Sequence, residues 1–149
     1  MGIKIIAKNK RAFYDFQIIE RFESGMMLQG TEVKSLRNGK VTIAESHISI
    51  DKNGEVFAYN INIPQYEFGN IHNHKEDRKR KLLLNAKEIE NIRHRIKAEG
   101  MTLVPLAIYF KKSFVKLEIA LAKGKKIHDK RADKAKKDVE RKLRQGRYE

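Results

Sequence analysis

The side chains best suited to metal or acid–base chemistry gather at one place, where His72-Asn73-His74 is followed by Glu76 and Asp77. Two histidines two residues apart can share a metal only with ligands from elsewhere. Neither a helical His-x-x-x-His nor a third spaced ligand accompanies them, so no metal site is expected. Asp51-Lys52-Asn53-Gly54-Glu55 looks like the opening of a calcium loop, but the later carboxylate ligands are missing and a turn between two strands accounts for the same residues. Ser24, Ser35, Ser46, Ser49 and Ser113 lie in no nucleophile motif, and the chain lacks both Gly-x-x-x-x-Gly-Lys-Ser/Thr and Gly-x-Gly-x-x-Gly. No catalytic residue and no cofactor are expected.

Cations are the richer signal. Lys8-Asn9-Lys10-Arg11, Lys34 with Arg37, Arg78-Lys79-Arg80-Lys81, Lys111-Lys112, and Lys123-Gly124-Lys125-Lys126 through Lys130-Arg131 form clusters along the chain. Across 149 residues, 33 Lys or Arg against 19 Asp or Glu leave +14, with a pI near 10.0. An acidic polymer is the natural partner of such a chain, nucleic acid first and an anionic membrane surface second. The clusters fall mainly at the ends of expected elements. They can therefore converge on one rim, where a phosphate backbone is tracked without base contacts. Arg78–Lys81 runs directly into Leu82-Leu83-Leu84, which anchors that cluster to a buried element.

The elements that must hold these cations read as mostly β. Phe13–Phe22 is rich in aromatic and β-branched residues and reads as a strand. Ser46–Ile50 and Val56–Tyr59 flank the Asp51–Gly54 turn as a hairpin, and Leu103–Phe110 with Phe114–Leu121 flank Lys111-Lys112-Ser113 as a second. One helix starts at Asn85, a capping residue with Glu88 three positions on, carries Ile89, Ile92 and Ile96 on one face, and ends at Gly100. A shorter helix runs from Thr31 to Arg37, where Asn38-Gly39 tolerate positive φ. Short strands, few helices and no fixed-period repeat predict a small closed antiparallel barrel with peripheral helices.

The 40% apolar content suffices for a single core. Residues 1–122 are expected to supply it. Residues 123–149 hold 12 Lys or Arg against 5 Asp or Glu, which is +7 in 27 residues, with few apolar side chains. Such a tail is expected to be disordered when free. Ala132, Ala135, Val139 and Leu143 recur at helical spacing, so the bound form is expected to be an amphipathic helix. The absence of cysteine removes disulfides, thiolate zinc sites and cysteine nucleophiles, and suits a reducing compartment. No window approaches the roughly 20 apolar residues of a membrane span. A cytoplasmic protein is expected.

Three segments occur in a telling order: Gly30-Thr31-Glu32-Val33-Lys34-Ser35-Leu36-Arg37, Arg80-Lys81-Leu82-Leu83-Leu84, and Gly124-Lys125-Lys126-Ile127-His128-Asp129-Lys130-Arg131. Together they resemble the small protein B family, the tmRNA-binding or SsrA-binding proteins of bacterial trans-translation. Asn9-Lys10-Arg11, Thr102-Leu103-Val104-Pro105-Leu106 and Tyr109-Phe110-Lys111 also match that pattern, so the likeness spans Asn9 to about Arg131. Beyond Arg131 only composition matches.

The resemblance implies an OB-like β-barrel that binds the tRNA-like domain of tmRNA, and a basic tail that enters the ribosome's decoding site. It implies a non-enzymatic factor delivering tmRNA to ribosomes stalled without a codon there, one copy with one RNA and no membrane. The tmRNA contacts it implies are Asn9, Lys10, Arg11, Glu32, Lys34, Arg37, Arg80, Lys81, Leu83, Leu84, Lys123, Lys125 and Lys126. His128, Lys130, Arg131, Lys134, Lys137 and Arg141 are its implied contacts with small-subunit rRNA at the decoding centre and mRNA channel. Lysines neutralise phosphates as point charges, whereas Asn9 and Glu32 suit 2′-hydroxyls, exocyclic amines or a basic neighbour. His128, flanked by lysines, suits base stacking. The alternative is a generic structural rRNA-binding protein.

Overall fold

The computed structural model describes residues 3–66 and 73–125. Its elements are β1 (Ile3–Lys8), α1 (Lys10–Asp15), β2 (Phe16–Met26), α2 (Gly30–Arg37), β3 (His47–Ile50), β4 (Val56–Tyr59), β5 (Arg80–Leu83), α3 (Ala86–Glu99), β6 (Thr102–Lys111) and β7 (Phe114–Gly124). The strands form one sheet in the order β1-β6-β7-β2-β5-β4-β3, every pair antiparallel. Both hairpins form as expected, and Asp51 Oδ1 closes the first by accepting from the Asn53 and Glu55 amides at 2.9 Å. Gly54 there has φ +81, a conformation that a Cβ disfavours.

The sheet departs from the expected barrel at its ends. β3 packs beside β6, yet the ladder has two free edges, β1 and β3, so among the described residues the sheet curls without closing. β3 is only four residues long and pairs fully with β4 alone.

β2, 11 residues long, links the two parts of the sheet. It pairs with β7 from Phe16 to Gly25 and with β5 through Gly25 and Met26. One sheet face buries Phe22, Ile48, Val56, Leu82, Ile108, Leu117, Ile119 and Leu121 against Leu36 of α2 and Ile92 of α3. A smaller cluster on the other face packs Ala12 of α1 against Val104, Leu106, Ala120 and Ala122.

The helices follow their end signals. Asn85 Oδ1 accepts from the Glu88 amide at 2.8 Å while Glu88 Oε1 accepts from the Asn85 amide at 3.3 Å, and Gly100 ends α3 at φ +66. α2 ends at Asn38, and Gly39 takes the positive φ, +76. α1 corrects the strand expected from Phe13: Phe13, Tyr14 and Asp15 are helical and extended chain begins at Phe16. Asn9 explains this, because its Oδ1 accepts from the Ala12 amide at 3.3 Å and its Nδ2 donates to the Pro105 carbonyl at 3.0 Å beside a bulge in β6. The cap and the buried Ala12 contact outweigh the weak extended preference of two aromatics.

Candidate RNA interface

Lys10 and Arg11 project from α1, and Lys123 leaves the end of β7, where Gly124 pairs with Phe16. The Lys125 amide donates to the Asp15 carbonyl at 3.0 Å and its Nζ to the Phe13 carbonyl at 3.1 Å, which ties the end of β7 to α1. Arg11 reaches Asp15 at 3.4 Å and Glu45 at 3.0 Å. These cations form a first basic group at the start of β2. Lys123 and Gly124 belong to β7, so the sheet runs two residues past 122.

A second basic group sits at the other end of β2. Lys34 and Arg37 are exposed on α2, with Lys34 Nζ 5.5 Å from the centre of the Tyr66 ring. Arg78, Lys79 and Lys81 approach from β5 and the chain before it; Lys81 lies 3.7 Å from Glu55. β2, 11 residues long, runs between the two groups.

Two members of the expected contact set face inward. Glu32 and Arg80 side chains are both 0% exposed. Arg80 Nε donates to Glu32 Oε2 at 2.5 Å, and its two terminal nitrogens donate to the Ile61 carbonyl at 2.6 Å and the Glu76 carbonyl at 3.0 Å. Arg78 caps the pair from outside, donating to Glu32 Oε1 at 2.6 Å and the Met27 carbonyl at 3.2 Å, and Glu32 Oε1 accepts from the Gln29 amide at 2.7 Å. Burial pushes the Glu32 carboxyl up, but hydrogen bonds from Arg78, the Gln29 amide and Arg80, with the Arg80 charge, hold it below the usual range. Burial lowers Arg80, and Glu32 opposes that shift. A buried pair satisfied on every side joins α2 to β5 and has no free surface for RNA. Asn9 is likewise 5% exposed and committed to α1 and β6. Leu84 packs on the core, while Leu83 is 50% exposed.

His74 has a structural task. Its Nε2 lies 2.8 Å from the Ile63 carbonyl, so that nitrogen carries a proton, and Thr31 Oγ1 sits 2.9 Å from Nδ1. Both ring nitrogens are spent, one on Thr31 of α2 and one on the chain at Ile63. His72, Lys126, His128, Lys130, Arg131, Lys134, Lys137 and Arg141 lie outside the described residues.

Sequence reasoning missed one polar cluster. Tyr109 Oη donates to Glu23 Oε2 at 2.5 Å and Lys111 Nζ stands 3.3 Å from Glu23 Oε1. The Tyr109 hydrogen bond, aided by Lys111, lowers Glu23 despite burial, while burial and Glu23 raise Tyr109. Glu23 and Tyr109 line a groove with Lys8, Phe13 and Arg21. Glu23 on β2 and Tyr109 on β6 are brought together across β7, and no local spacing announces that.

These features define a basic, mainly antiparallel β protein with helices at its edges and cations at both ends of strand β2. Residues 6–148 match the SmpB protein family, and the chain belongs to it. It is 53% identical over 145 residues to the SsrA-binding protein of Geobacter sulfurreducens, covering 97% of this chain and 94% of the relative. It is 54% identical over 140 residues to that of Lachnoclostridium phytofermentans, covering 94% and 90%. A solved structure described as "tmRNA-SmpB: a journey to the center of the bacterial ribosome" superposes with a TM-score of 0.66 at 43% identity, covering 81% of this chain and 85% of that one. Among the described residues no helix is long and apolar enough to cross a membrane.

Proposed function

We propose that the chain is a non-enzymatic RNA-binding factor of trans-translation, which binds the tRNA-like domain of tmRNA and delivers it to ribosomes stalled without a codon in the decoding site. The observation that carries this is the likeness, at 43% identity over most of both chains, to a structure described as tmRNA-SmpB in the bacterial ribosome. The curled sheet then works as an OB-like barrel, with Lys10, Arg11 and Lys123 at one end and Lys34, Arg37, Arg78 and Lys81 at the other neutralising phosphates. Glu32, Arg80 and Asn9 act at one remove, by holding α2, β5 and α1 where those cations are needed. The residues that follow β7 and Lys125 form the ribosome-directed part, folding as a helix in the vacant mRNA channel, with His128 at the decoding centre. This work is cytoplasmic and calls for no cofactor.

Affinity purification of the tagged chain from a bacterial lysate, followed by RNA sequencing, tests the reading. One tRNA-like RNA is expected to dominate over ribosomal RNA at moderate salt. Recovery of bulk ribosomal RNA in fixed proportion, with no such RNA enriched, would instead mark a structural rRNA-binding protein.

A further inference from the structure

The two basic groups are linked by a surface that neither accounts for. The outer face of the β3–β4 hairpin carries His47, paired in register with Tyr59, and Phe57, paired in register with Lys81 of β5. The His47 and Tyr59 rings stack with centroids 5.0 Å apart and planes 8° from parallel. Lys79 Nζ lies 4.0 Å from the Phe57 ring centroid and 5.8 Å from that of Tyr59. Arg11 meets Glu45, two residues before His47, so the row starts beside the first basic group; it ends at Lys79 and Lys81, in the second.

We propose that this row, His47–Tyr59–Lys79–Phe57–Lys81, is a stacking track for single-stranded RNA, and that its occupant is an unpaired stretch of the same tmRNA held by the two basic groups. The proposal rests on the tmRNA reading above. A duplex hides its π-faces and offers phosphates only; a row in which ammonium groups sit among exposed rings instead suits the bases and phosphates of an unpaired strand. His47 is exposed and Tyr59 half-buried, a stacked pair that a further base can extend at the cost of little reorganisation. Lys79 already lies over two rings, so it can pass to a phosphate while a base takes its place on Phe57. Sheet stabilisation alone explains a cross-strand His–Tyr pair. It does not explain the cation set over the Phe57 and Tyr59 rings or the position of the row between two basic groups.

The test uses the full chain and an unstructured, fluorescein-labelled RNA of about 12 nucleotides, with the isolated tRNA-like domain titrated in parallel. His47→Ala, Tyr59→Leu and Lys79→Gln should each weaken oligonucleotide binding, by about tenfold for Tyr59→Leu. The thermal midpoint should stay within a few degrees in all three variants, and affinity for the tRNA-like domain within about twofold in His47→Ala and Tyr59→Leu, which lie outside the basic groups. His47 and Lys79 are exposed, so these variants report even where Tyr59→Leu perturbs the hairpin. Full-length tmRNA carrying 4-thiouridine should cross-link to the hairpin through unpaired nucleotides. Unchanged oligonucleotide affinity in His47→Ala and Lys79→Gln, or cross-links from paired regions alone, overturns the track. Failure of the parent chain to bind the tRNA-like domain would instead overturn the functional reading itself.

Discussion

Glu32 of α2 and Arg80 of β5 stand 48 positions apart in sequence and share a 2.5 Å hydrogen bond with no solvent on either side chain. Desolvating two charges is costly, and here each lone pair and proton has a partner. Removing one partner leaves a charge stranded. Glu32→Gln should therefore lower unfolding free energy by about 3–5 kcal/mol near neutral pH, measured by urea denaturation. Because the folded carboxyl lies below its unfolded value, its contribution is present above the unfolded pKa and disappears as pH falls through the folded one. The parent should lose stability steeply in acid, and Glu32→Gln should show a shallower acid limb. Equal acid limbs would show that the pair is not the titrating element.

Phosphate neutralisation sets the salt response. If about six cations of the two basic groups meet phosphates, log affinity should fall with log salt at a slope near −4 to −5. Lys10→Gln with Lys123→Gln, both exposed in the first basic group, should reduce its magnitude by about 1.4 to 1.8. A double variant whose salt titration retains the parent slope would place RNA elsewhere on the surface.

Deleting residues 132–149 should leave binding to the tRNA-like RNA within about threefold yet abolish its productive use on stalled ribosomes, because the expected division of labour places affinity in the sheet. Paired binding assays and peptidyl-transfer assays decide this. A truncated chain that rescues at the parent rate contradicts the proposed role of the tail.

His128→Ala should slow peptidyl transfer to alanyl-tmRNA on stalled ribosomes about tenfold or more while sparing tmRNA binding, since one stacked base contributes roughly 1–3 kcal/mol. His128→Phe and His128→Tyr should retain much of the rate, as a π-face is all that stacking requires. An alanine variant as fast as the parent would eliminate stacking.

Where local physics decides structure, the sequence was readable. Asn85, Glu88 and Gly100 bound α3 within one residue, and Asp51–Gly54 specifies the hairpin turn. The segment 13–15 misled because its aromatics carry a strand preference that the Asn9 cap and Ala12 burial override. Arg78–Lys81 read as one cationic face, but β5 alternates from Arg80 onward, sending Arg80 and Leu82 inward and leaving Lys81 and Leu83 outward. The partner that makes an inward Arg80 possible, Glu32, lies on another element. Ladder closure was equally out of reach, since edge pairing is decided by how far the sheet curls and not by any local spacing.

The way β2 divides its partners has a mechanical consequence. Among the described residues, β1, β6 and β7 form one slab and β5, β4 and β3 another, spliced along the backbone by Gly25 and Met26 against Leu83 and Leu82, and by the Met27 amide on the Lys81 carbonyl at 3.0 Å. A Cβ on Gly25 would meet Leu83 Cβ at 3.4 Å, an ordinary packing contact, so a side chain there would rest directly on β5. The side chains beneath it belong to one shared core, which keeps the slabs from parting freely. The splice amides are nonetheless where opening exposes the fewest backbone bonds, and amide exchange there should outpace exchange along the β2–β7 ladder. An RNA gripping cations on both slabs would act as an external brace, slowing that exchange without touching a single residue of the splice.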